Sequence, residues 1–105
     1  MMSILYIITK GSLSDTEKQK FETDEQNTFF KISVFEFDES INEKGEVVIP
    51  ITESKINPLL RYIFQNRFQK ISIRLKNAGM NRQHARDLFN IIKASPYKGE
   101  IEISY

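Results

Sequence analysis

The chain of 105 residues has no cysteine, four glycines, three prolines, one histidine and no long apolar run. Without cysteine there is no disulfide framework, no thiolate metal site and no cysteine nucleophile. The glycines, Gly11, Gly45, Gly79 and Gly99, stand alone. None opens the closely spaced glycine loop that cradles a phosphate or a dinucleotide. The most apolar stretch near the start, Ser3–Thr9, is too short and too poorly flanked for a signal peptide or a membrane span. A reducing, cytoplasmic setting is the expectation.

One further absence is local. Between Glu53 and Asp87 there is no acidic residue, while Lys55, Arg61, Arg67, Lys70, Arg74, Lys76, Arg82 and Arg86 are all basic. The segment from Gly11 to Glu46 leans the other way, with ten carboxylates against four lysines, so a net charge of +1 conceals two oppositely charged halves. A one-signed surface attracts its opposite. The composition therefore points to a partner without naming it.

With 40% hydrophobic residues, eight Phe and four Tyr, residues 1–105 suit one domain with a real core. Ser3–Thr9 reads as a strand buried on both faces. Gly11 to Asn27 is polar, and Ser14 with Glu17 fits a capping box for a short surface helix; a loop fits the same residues. Phe29 to Phe37 reads as a second strand, with Phe30, Ile32 and Val34 on one face. After turn chemistry from Asp38 to Gly45, Val47–Ile51 reads as a third strand, shortened by Pro50.

The period then changes. Asn57-Pro58 predicts a helix start, followed by Leu59, Leu60, Ile63 and Phe64 at helical spacing. Lys70–Lys76 alternates, with Ile71, Ile73 and Leu75 opposed to Ser72, Arg74 and Lys76. Asn81 caps a second helix with Ala85, Leu88 and Ile92 on its buried stripe, and Ser95-Pro96 stops it. Glu100–Tyr105 alternates again. The fold class is therefore α/β: a single mixed sheet of about five strands with two helices packed on one face, in the order β-β-β-α-β-α-β. The other face, carrying Ser72, Arg74, Lys76, Glu100, Glu102 and Ser104, is expected to be open and polar. A level pairing of Ile73 with Ile101 would set Arg74 beside Glu102.

From Ile73 to Tyr105 the spacing resembles one unit of a leucine-rich repeat of the ribonuclease-inhibitor type. Ile73 and Leu75 stand at its strand positions, Met80 at the next apolar one, and Ala85, Leu88 and Ile92 on its helix. Ile101 and Ile103 begin the following strand. Ala78 stands where that family uses Asn or Cys, and His84 where it uses Gly. Val47 and Ile49 precede Ile73 and Leu75 by 26 residues, which leaves a degenerate earlier unit open, but the first 45 residues hold none, so the resemblance does not imply a solenoid. The order of elements is also similar to a STAS-type regulatory domain. That resemblance implies a serine at the start of the helix after the central strand; the turn here reads Asn77-Ala78-Gly79-Met80-Asn81, with no hydroxyl.

His84 edges the buried stripe of its helix and reads as a half-buried surface histidine. As a base or metal ligand it would need converging partners that the sequence does not supply. Asp15, Glu17, Glu22, Asp24 and Glu25 lack the spacing of a calcium loop. No catalytic residues, metal site or cofactor are expected. The expected function is a small non-catalytic protein-binding module, such as an inhibitor, an immunity protein or a regulatory adaptor. Its contact residues would be Arg74, Lys76, Arg82, Arg86, Glu100 and Glu102, and its partner an acidic protein surface. Nucleic-acid binding through residues 55–86 is the alternative, although no helix-turn-helix, zinc or RNP signature is present. An uncapped first or last strand leaves both monomer and dimer open.

Overall fold

A computed structural model describes residues 2–9, 14–16, 19, 30–38, 40–49, 51–75 and 80–104. Among the described residues the main sheet has four strands, all parallel. They are β1 (Met2–Thr9), β2 (Phe30–Phe37), β5 (Lys70–Arg74) and β6 (Glu100–Ser104), in the spatial order β2-β1-β5-β6. β3 (Ser40–Ile41) and β4 (Val47–Val48) form a separate two-stranded antiparallel ribbon. The fold is α/β as expected, but the expected mixed sheet of about five strands is corrected to a four-stranded parallel sheet plus a ribbon.

Local turn chemistry explains the difference. The Asn42 side chain accepts hydrogen bonds from the N–H groups of Lys44 and Glu46, at 3.0 and 2.9 Å. Gly45 closes the turn at φ +78, a conformation that favours glycine. This turn folds Val47–Val48 back onto Ser40–Ile41 before it can reach the main sheet. Pro50, which has no N–H to give a ladder, follows at once.

β1 occupies the centre, as its apolar run predicts. Leu5 and Ile7 are fully buried on one side, and Ile4 and Ile8 are buried on the other. Helices α1 (Glu53–Asn66) and α2 (Arg82–Ala94) both pack on the Leu5/Ile7 side, where Leu59, Ile63, Ala85, Leu88 and Ile92 meet Ile71 and Ile73. An aromatic chain ties β2 to α1: Phe35 lies 5.8 Å from Tyr62, and Tyr62 lies 5.5 Å from Phe68. Burying these side chains supplies most of the folding free energy.

α1 starts five residues before the expected Asn57-Pro58 boundary, with Thr52 as its N-cap and Pro58 inside it. Ile51 and Ile56 explain the earlier start. They flank the cap at the spacing of a hydrophobic staple, and both join the core. α2 follows the sequence reading: the Asn81 side chain accepts the His84 N–H at 2.8 Å, and the helix ends before Ser95-Pro96. Asp15, Thr16 and Gln19 are helical and exposed. Glu17, Glu22, Asp24 and Glu25 of the acidic segment lie outside the described residues.

Candidate functional site

Registered partners in a parallel sheet share a face, so Tyr6, Ser72 and Glu102 lie in one row, with Lys70 and Glu100 in the row before. Arg74 pairs with Ser104, and Ile73 with Ile103. The expected pairing of Ile73 with Ile101, and hence of Arg74 with Glu102, is therefore corrected by two residues. Gln69 sets this register, because its carbonyl accepts the Glu100 N–H at 3.1 Å.

The shifted register changes the electrostatics. Lys70, not Arg74, bonds Glu102 at 3.1 Å, and the Arg74 guanidinium sits 4.6 Å from the Tyr6 ring centroid. The hydrogen bond to Glu102 raises the Lys70 ammonium above its ordinary value, against a smaller opposing effect of burial. The Lys70–Glu102 and Tyr6–Arg74 contacts run diagonally on either side of Ser72. Ser72 has no exposed surface, and its hydroxyl has no hydrogen-bond partner among the described residues. Ile4, Ile8 and Ser72 are all buried on this face, so the expectation of an open polar face is corrected: it is closed over β1 and the middle of β5. Arg74 and Glu102 stay half-exposed and Glu100 exposed. Extending the Lys70–Lys76 alternation back to its first residue would have flagged Lys70; nothing in the sequence marked Tyr6 as the seat of Arg74.

The six expected contact residues do not form one cluster. Arg74 ends β5, Lys76 lies outside the described residues, and Arg82 and Arg86 are exposed on the first turns of α2. The described cations therefore gather at the carboxyl end of β5, from both sides of the sheet. Glu100 begins β6 level with Lys70. It lies at the amino end, four residues or about 13 Å from the level of Arg74. Glu102 sits midway.

The carboxyl end of β5 has a special position. The chain steps from β1 to β2 in one direction, then crosses back over β1 to β5 and on to β6. The reversal falls between β1 and β5. In open α/β sheets, the space outside the carboxyl ends at such a reversal is where ligands bind. α2 begins there without an acidic residue in its first turn, and its first residue is Arg82. A cation at the positive end of a helix dipole is unfavourable by about 0.3–1 kcal/mol.

His84 is half-buried, and its Nδ1 accepts the backbone N–H of Ile49 at 3.4 Å. It fastens the segment after the ribbon to α2. The carboxylate nearest to it in sequence, Asp87, is bonded by Gln83 Nε2 at 2.9 Å. No group of three or more metal-ligating side chains occurs among the described residues. No helix among them is long and apolar enough to cross a membrane. No protein-family model, curated protein or solved structure matches the chain.

Proposed function

We propose that the protein is a small non-catalytic binding module that engages an acidic protein surface through the carboxyl end of β5. The observation that carries this reading is the gathering of Arg74, Arg82 and Arg86 at the reversal point of the sheet. Lys76 falls in the same connection by sequence and would add a fourth cation. Glu100 and Glu102 would act at a distance, Glu102 by holding Lys70 in place. An inhibitor, an immunity protein or a regulatory adaptor works in this way, by occupying a partner and not by transforming it.

The test is affinity capture from the native cell with wild-type protein and with the double reversal Arg82→Glu, Arg86→Glu. Both positions are exposed, so folding should be retained, as circular dichroism would verify. The expected result is an acidic protein recovered by the wild type and lost from the variant. Equal recovery by both proteins would remove the site. Recovery of nuclease-sensitive material in its place would favour the nucleic-acid alternative, whose binding weakens steeply with salt.

A further inference from the structure

The two large apolar side chains that are exposed among the described residues are Ile41, at 73%, and Phe64, at 44%. They lie in surroundings of opposite charge. Ile41 sits on the β3–β4 ribbon, beside the exposed carboxylates Glu43 and Glu46. Phe64 lies in the last turn of α1 and lines a cleft of about 270 Å³ with Arg67, Phe68, Tyr97 and Lys98. On the other side of Tyr97 is a second hollow of about 290 Å³, which adds Phe89, Lys93 and Ile101. Neither hollow is lined by a carboxylate.

The cleft is built firmly. The Tyr97 hydroxyl donates to the Phe68 carbonyl at 2.9 Å. Gly99 lets the ring lie this close, because a Cβ there would overlap the phenol and come within 2.8 Å of the Gln69 carbonyl. Arg67 takes up the left-handed C-cap of α1, at φ 51. Neither Arg67 nor Lys98 has an ion-pair partner among the described residues.

The two patches are also at opposite ends of the molecule. The ribbon precedes the start of α1, at the carboxyl end of the sheet, and the cleft follows its end, at the amino end. The 14 residues of α1 separate them by about 21 Å. We infer that the occupant of the cleft is the β3–β4 ribbon of a second copy of this chain. Ile41 enters beside Phe64 and Tyr97, while Glu43 and Glu46 meet Arg67 and Lys98. One copy offers a ribbon and the next a cleft, so the contact is head to tail and propagates or closes into a ring. It is small and charged, hence weak and sensitive to salt. It uses neither Arg82 nor Arg86 and goes beyond the function proposed for the basic edge at the carboxyl end of β5.

Sedimentation equilibrium of the full chain, from about 10 µM to about 1 mM at low salt, tests this directly. The expected mass rises with concentration and falls back when salt is added. Ile41→Asp and Lys98→Glu should each raise the self-association constant for dissociation at least tenfold. An equimolar mixture of the two variants should form a one-to-one dimer, because one retains the cleft and the other the ribbon. Phe64→Asp replaces Lys98→Glu if circular dichroism shows that variant misfolded. Arg82→Glu with Arg86→Glu should leave the association unchanged, which separates this contact from the proposed partner site. A wild type that stays monomeric at the highest concentration overturns the inference. So does association indifferent to Ile41, or a mixture that fails to pair.

Discussion

Ser72 is the residue whose environment departs furthest from its sequence pattern. Alternation with Ile71 and Ile73 points it at an open face, yet it is buried and its hydroxyl is unpartnered among the described residues. An unsatisfied buried hydroxyl costs about 1–3 kcal/mol. Ser72→Ala should therefore raise stability by about 1 kcal/mol in urea unfolding, with no change in the denaturant slope. A loss of stability would mean that the hydroxyl is satisfied. Tyr97 and Lys70 should make the protein sensitive to alkali. Burial, with the charge of Glu100, pushes the Tyr97 phenol above its ordinary 10.0, and the bond to Glu102 lifts Lys70 above its ordinary 10.5. In both cases the folded state holds the proton more tightly than the unfolded chain. Their stabilising effect is complete below those ordinary values and is lost as pH rises through the folded ones. Thermal midpoints should fall above about pH 10, and Tyr97→Phe should flatten that fall. An unchanged profile in Tyr97→Phe would show that the phenol does not contribute.

At the scale of elements, α1 is where two local signals compete. Asn57-Pro58 is a good helix opening by residue type, but the Ile51/Ile56 staple draws the start back to Thr52. Pro58 is left at the sixth helical position, where the carbonyl of Ser54 has no N–H to receive. Pro58→Ala should stabilise the protein by about 1–2 kcal/mol, less than the full helix-interior penalty because the unfolded chain gains freedom. Hydrogen exchange in the first two turns of α1 should slow in parallel; faster exchange would contradict the account. α2, β1, β5 and β6 were legible because their apolar periods are unbroken and Asn81 and Ser95-Pro96 mark the ends of α2. The fate of Val47–Ile51 was not, because both readings share its residue types. Three side-chain and backbone details of the turn at Asn42 and Gly45, not hydrophobicity, sent it to the ribbon.

For the whole molecule, the sequence shows that the charge is divided but not how the divided charges are arranged. Pairing depends on register, and a slip of two residues preserves every apolar contact type while replacing Arg74 with Lys70 as the partner of Glu102. Strand order was equally hidden, since the placement of β1 between β2 and β5 depends on long-range packing. The proposed contact surface depends on that order, which sets the reversal point beside the carboxyl end of β5. Titrating ¹⁵N-labelled protein with polyglutamate at low salt, followed by amide shifts, tests this claim most directly. The largest changes should fall at Arg74, Leu75 and Met80 through Arg86 and disappear in the Arg82→Glu, Arg86→Glu variant. Shifts absent from those residues, or undiminished in the variant, would contradict it.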